Sequence, residues 1–274
     1  MFRARDTRLE RDVAVKLSTA HTSVDPKLSL DRFERELKLS SRVNHPHILQ
    51  VHDCGALTTG HPYVLLEWMA EGPLSLHVVR AGDAGLLLPM SHVACYARAI
   101  AVAMRVVHQA QMVHRDLKPD NVLINAQGIA KLADVGVARD LRPGAGQLTE
   151  TGTAVGTLGF MALEQLDGMA CFQSDIFSFG VTLYALVTGR LPEQVRVGGL
   201  PVGVIEESAW DLVPETLRPL LQHCTAAHVE DRVQSFDELL PLLQAADWSE
   251  QDPPALSADE EAPRPISAAA APGR

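Results

Sequence analysis

A charge-rich octapeptide set between two apolar stretches, His114-Arg115-Asp116-Leu117-Lys118-Pro119-Asp120-Asn121, limits what this chain can fold into more than any other feature. It holds a candidate base, a cation and a metal ligand at the spacing that phosphoryl transfer uses. That chemistry draws its rate from positioning and fixed charge, so the flanks have to hold the loop in one geometry. Upstream, residues 92–112 carry Val93, Tyr96, Ala97, Ile100, Val102, Ala103, Val106 and Val107 at helical intervals, which predicts a long, largely buried helix. Downstream, Val122-Leu123-Ile124, a turn from Asn125 to Gly128 and the stretch Ile129 to Ala133 predict a short hairpin that delivers Asp134-Val135-Gly136.

Val13-Ala14-Val15-Lys16 alternates as a strand does, and residues 31–42 form a charged amphipathic run with Phe33, Glu36, Leu37 and Leu39 near one side. Ile48 to Val51 and Tyr63 to Trp68 predict two more strands, giving a small sheet with a helix packed on it. Residues 139–157 are polar and rich in Gly and Thr, which predicts a mobile loop. Val213 to Cys224 and Asp237 to Leu243 predict the last amphipathic helices.

In this order the segments resemble the protein kinase domain over roughly residues 1–246, and most closely the bacterial eukaryotic-like (Hanks-type) Ser/Thr kinases. The resemblance implies an α+β, two-lobed protein-kinase-like fold. A small antiparallel-sheet lobe would cover 1–69, a larger, mainly helical lobe 70–248, and a disordered Pro-, Ala- and acid-rich tail 249–274. It also implies ATP and Mg²⁺ as cofactors. Asp116 would receive the substrate hydroxyl proton, Lys118 would steady the migrating phosphoryl charge, and Asn121 and Asp134 would hold Mg²⁺. Asp134-Val135-Gly136 stands where Asp-Phe-Gly is usual, and Lys16 would contact the α and β phosphates with Glu36 as its ion-pair partner. Leu66 would guard the back of the adenine pocket, the Glu67 carbonyl and the Met69 amide would bond the adenine edge, and Ala14 and Leu123 would sandwich the ring. Residues 139–157 would be an activation segment, with Thr149, Thr151 and Thr153 as phosphate acceptors and Arg115 as the cation that pairs with that phosphate. Thr157 matches the Thr that hydrogen-bonds the catalytic Asp and Lys; Asp175 would brace the loop backbone, and Arg232 would form a buried ion pair with Glu164.

Departures from the family pattern set further expectations. The sequence opens on Met1-Phe2-Arg3-Ala4-Arg5-Asp6, which resembles the stretch that follows the family's Gly-rich loop. The expectation is that this loop and its preceding strand are absent, by truncation or a misassigned start, and that ATP is held more weakly. Val135 replaces a large aromatic side chain and Ser40 occupies an apolar slot beyond Glu36, each at a cost on the order of 1 kcal/mol. The helix carrying Glu36 is therefore expected to sample an outward, inactive position readily. Leu163 stands for the usual Pro in Met161-Ala162-Leu163-Glu164.

Composition narrows the class. The chain has 274 residues with 24 Lys and Arg against 34 Asp and Glu, and the net charge of −10 disfavours nucleic acid as a partner. Cys54, Cys95, Cys171 and Cys224 are widely spaced, suggesting neither a metal knuckle nor a disulfide framework. His45, His47, His52 and His61 show no metal-ligand spacing, so a structural role in loops and strands is expected. No signal peptide is visible, and the longest apolar runs, such as Ile176 to Val187, are too short to span a bilayer, so a cytoplasmic location is expected. The expected partner is a protein bearing Ser or Thr, including the chain's own activation loop, with a homodimer for phosphorylation in trans. Two other readings stand beside this one. A pseudokinase-like, partner-binding module is supported by the absent Gly-rich loop, Val135 and Ser40; a small-molecule phosphotransferase of similar fold is opposed by Arg115, Lys118 and Thr157. The stretch Val195 to Ser208 matches no interpretable pattern.

Overall fold

The computed structural model describes residues 1–17, 43–58, 61–135, 159–191, 193–197, 200–205 and 207–249. The expected helix over 31–42, Ser40, the loop over 139–157 and the tail from 250 lie outside them. Four strands form an antiparallel sheet in the order β1-β2-β4-β3: β1 (Phe2–Asp6), β2 (Arg11–Leu17), β3 (Val51–Ala56) and β4 (Pro62–Glu67). The period-two pattern of β4 buries Val64 and Leu66 on one face. Ala14 lies opposite Leu66 in the β2–β4 register, and with Leu49, Met69 and Ala133 these residues make a small apolar core of their own.

The expected strand over 48–51 is not there; the strand begins at Val51. Its upstream residues turn to a second sheet instead, β5 (Gly72–Pro73), β6 (Val122–Ile124) and β7 (Ala130–Leu132). Leu49 donates its N–H to the Leu132 carbonyl at 2.8 Å, and Leu132 donates back to the His47 carbonyl at 2.8 Å. Ile48 and Leu49 are apolar because both are buried at this crossing, Ile48 in the main core and Leu49 in the small one. The histidines here are structural: His47 Nδ1 lies 2.9 Å from the Ala130 carbonyl, and His45 Nδ1 accepts the His47 N–H at 3.1 Å. Burial holds the His45 imidazole below its ordinary pKa, which suits an acceptor.

The larger body is helical: α1 (Leu74–Asp83), α2 (Met90–Gln109), α3 (Leu163–Leu166), α4 (Phe172–Thr188), α5 (Arg218–Cys224) and α6 (Phe236–Ala245). The predicted long helix is α2, whose Val93, Ala97, Ile100, Met104 and Val107 are buried at helical spacing against α4, α6 and β7. By length and composition α2 could cross a membrane, and half of that window is buried inside the fold. Every residue of α4 from Ser174 to Thr188 is buried, the mark of a helix enclosed on all sides. Gly180 is what allows this, since a Cβ there would meet Cys224 Cβ and Thr225 Cγ2 at 2.7 Å.

The helix expected from Val213 begins five residues later. Pro214 offers its carbonyl to the amides of Leu217 and Arg218, and Pro219 sits in the first turn of α5, where its missing N–H costs nothing. The stretch from Val195 without an interpretable sequence pattern overlaps an antiparallel hairpin, β8 (Glu193–Val197) and β9 (Leu200–Val204).

Candidate active site

The octapeptide loop hangs from one fully buried carboxylate at the start of α4. Asp175 accepts the N–H of His114 at Oδ2 and the N–H of Arg115 at Oδ1, both at 2.8 Å. His108, from the last turn of α2, places Nε2 2.8 Å from the same Oδ2 and packs between the rings of Phe172 and Phe236. One acidic side chain therefore joins α2, α4 and the loop, as expected of Asp175. Arg115 adopts a left-handed backbone in this geometry, φ 69°. Its carbonyl accepts Nε2 of Gln165 at 3.0 Å.

The loop is tied equally to the hairpin that follows it. The buried His114 ring places Nε2 2.9 Å from the Ala133 carbonyl, and the Ala133 N–H donates to the Asn121 carbonyl at 2.8 Å. Pro119–Asn121 forms one 3₁₀ turn, and Ser75 of α1 donates to Asp120 at 3.0 Å. Two polar side chains then converge on Asp116. Lys118 Nζ donates to Oδ1 at 3.1 Å, and Asn121 Nδ2 donates to Oδ2 at 2.9 Å and to the Asp116 carbonyl at 2.6 Å. The Asp116 side chain is 38% exposed while that of Lys118 is 14% exposed, so the carboxylate is open to an incoming group and its cation is sheltered.

Asp134 follows the end of β7 and has a left-handed backbone, φ 57°, that Asp tolerates better than most residues. Its Oδ1 is ion-paired with Lys16 Nζ from β2. Glu36, the partner expected for Lys16, lies outside the described residues, as do Thr149, Thr151, Thr153 and Thr157. Between Lys16 and the strand connection, Ala14, Leu66 and Met69 share the small apolar core, with Leu123, Val51 and Trp68 packed against it. All the apolar residues expected around a flat ring thus meet in one place.

Several contacts have no sequence signal. Lys131 Nζ bonds both carboxylate oxygens of Glu67, at 2.8 and 2.7 Å, and the Gln50 N–H donates to the same Glu67 at 2.7 Å. Arg3 lies over the Trp68 ring at 5.2 Å. On the far side of the loop, Arg232 forms the expected buried pair with Glu164 at 2.6 and 3.1 Å, and Ser174 donates to Glu164 at 2.6 Å. Burial pushes the Glu164 carboxyl up, but these bonds outweigh it and hold the group below its ordinary value. Residues 159–161 lie beside the loop. The Phe160 carbonyl accepts the Ser178 hydroxyl at 2.8 Å, and a narrow cleft is lined by Arg115, Asp116, Leu117, Phe160, Met161 and Ser178. Gly203 of β9 rests on the Gly159 backbone so closely that a Cβ would come within 2.8 Å of its carbonyl carbon.

The arrangement offers an open carboxylate, a sheltered Lys118 ammonium and, beside Lys16, a packed apolar cluster. Among the described residues no group of three His, Cys, Asp or Glu could hold a metal ion alone. The donors present, the carboxylate of Asp134 and the carboxamide of Asn121, are hard oxygen ligands that suit a divalent ion sharing its shell with phosphate and water.

The profile of the family described as "Protein kinase domain" matches residues 1–240. The chain is similar to serine/threonine-protein kinase PknB of Mycolicibacterium smegmatis, 31% identical over 274 residues that cover 94% of this chain and 42% of PknB. It is also similar to serine/threonine-protein kinase PknL of Mycobacterium bovis, 31% identical over 265 residues that cover 96% of this chain and 61% of PknL. The chain thus spans only about half the length of these relatives. Among solved structures, the PknI kinase domain of Mycobacterium tuberculosis superposes with a TM-score of 0.65 at 23% identity, covering 88% of each chain, a likeness of fold.

Proposed function

The chain belongs to the protein kinase domain family, and on that premise we propose that it is a Ser/Thr protein kinase transferring the γ-phosphate of ATP to protein hydroxyls. The observation that carries this reading is the hydrogen-bonded set of Lys118, Asp116 and Asn121 in a loop held by Asp175. Asp116 Oδ1 or Oδ2 takes the proton of the substrate hydroxyl, and Lys118, hydrogen-bonded to Asp116 before the reaction, steadies the negative charge of the migrating phosphoryl group. Asn121 and Asp134 supply the metal oxygens. There a Mg²⁺ ion bound with the nucleotide would neutralise charge on the phosphate oxygens. Lys16 binds the phosphates, which requires its ammonium to be shared with or released from Asp134. Ala14, Leu66, Met69 and Leu123 bury the adenine ring, and the backbone of Glu67 and Met69 bonds its edge.

Residues 1–69 form the small lobe and 70–248 the large one in this reading. The substrates are proteins, including the chain's own residues Thr149, Thr151 or Thr153, phosphorylated in trans within a homodimer in the cytoplasm; Arg115 receives the resulting phosphate and Thr157 bonds Asp116 and Lys118. A regulatory module without transfer is favoured by one observation, the engagement of Asp134 by Lys16. Incubation with γ-labelled ATP, MgCl₂ and casein separates the two. Label on serine or threonine, lost in Lys16→Met and Asp134→Asn, supports the kinase; unlabelled casein and unlabelled protein would leave the regulatory module.

A further inference from the structure

We propose that Gln165 is a positioning residue that locks the strained backbone before Asp116 to the segment that faces Asp116 across the narrow cleft. The proposal rests on the kinase reading above and adds a residue to it.

Gln165 lies in the four-residue helix α3 and is half-buried. Its Oε1 accepts the Ala162 N–H at 3.2 Å, which is the returning half of a capping box. That bond fixes which way the amide faces, because a flipped group would set an NH₂ against an N–H and an oxygen against a carbonyl. Nε2 is thereby aimed at the Arg115 carbonyl, 3.0 Å away and 50 residues earlier in the chain.

Arg115 needs such a partner. A long side chain at φ 69° sits in a region that L residues adopt reluctantly, and it persists only where the surroundings fix it. Its N–H is held by Asp175 and its carbonyl by Gln165, so both peptide groups around the strained residue are pinned from outside the loop. The next residue is Asp116. At its other end the Gln165 amide grips Ala162, directly after Phe160 and Met161, which line the cleft with Asp116. A single carboxamide therefore sets the spacing of the two walls of that cleft. Side chains of similar size do not replace it: glutamate would face the Arg115 carbonyl with a second acceptor, and methionine could bond neither end.

Gln165→Glu and Gln165→Met, compared with the parent protein, test the inference in three readouts. The expected result is amide exchange about fivefold faster over 115–117 in both variants, because both lose the hydrogen bond to the Arg115 carbonyl. Steady-state kcat for a Ser/Thr peptide falls about tenfold while the affinity for MgADP and the melting temperature stay at the parent values, since positioning acts on the transition state. Unchanged exchange over 115–117 would overturn the lock. Faster exchange with unchanged kcat would overturn the positioning role, as would a kcat loss that merely tracks a fall in melting temperature. A parent protein that transfers no phosphate would instead defeat the kinase reading, and the exchange data would still decide whether Gln165 holds Arg115.

Discussion

Single residues carry most of what this site can do, and those whose partners are close in sequence are legible from the sequence alone. Asp116, Lys118 and Asn121 lie within six positions, and their convergence on one carboxylate follows from that spacing. Lys131 with Glu67 and Gln165 with Arg115 are not legible, because each pair is assembled by the fold across 64 and 50 residues without a local pattern. The Glu164–Arg232 pair is legible only through family resemblance. Breaking it leaves an uncompensated buried charge, so Arg232→Met should cost about 3–5 kcal/mol in urea unfolding. The pair also sets a pH dependence. A carboxyl whose folded pKa lies below its ordinary value of 4.5 contributes stability that is full above that value and is lost as pH falls through the folded pKa. The parent should therefore lose its advantage over Arg232→Met as pH is lowered below about 4.5, and an advantage independent of acid would show that Glu164 is not held ionised by Arg232.

Among the elements, those with strong periodicity are legible in the sequence, and those shaped by crossings are not. α2 follows from apolar residues at helical spacing, and β6 with β7 from a short alternating run around a turn that Asn125 closes by accepting the N–H groups of Gln127 and Ile129. Ile48 and Leu49 resemble strand residues because they are buried, yet they cross to β7 and pair there. The β8–β9 hairpin has no legible signal, and its seat depends on a glycine whose neighbour lies far back in sequence. Gly203→Ala should force the hairpin off Gly159 and cost about 1–3 kcal/mol. A loss under about 0.5 kcal/mol by urea titration would mean that the hairpin is not seated there.

Across the molecule, the first sheet and the hairpin of the second are joined by polar ties beside the small apolar core. Lys16 with Asp134 and Lys131 with Glu67 each join the first sheet to the hairpin that leaves the octapeptide loop. The second pair is well sheltered, with side chains 16% and 19% exposed, so Lys131→Met should lower unfolding free energy by about 1–3 kcal/mol, and an unchanged urea midpoint would show the tie to be idle. The fold class can be read from motif order, whereas these ties cannot, since ion pairs between distant strands leave no periodicity. Everything proposed for this site depends on transfer of phosphate to a hydroxyl whose proton goes to Asp116. Intact-mass spectrometry of the purified protein after incubation with MgATP, beside Asp116→Asn, tests it most directly. Added phosphate is expected on the parent and none on the variant; equal phosphate on both, or none on either, would rule out Asp116 as the base of a transferring site.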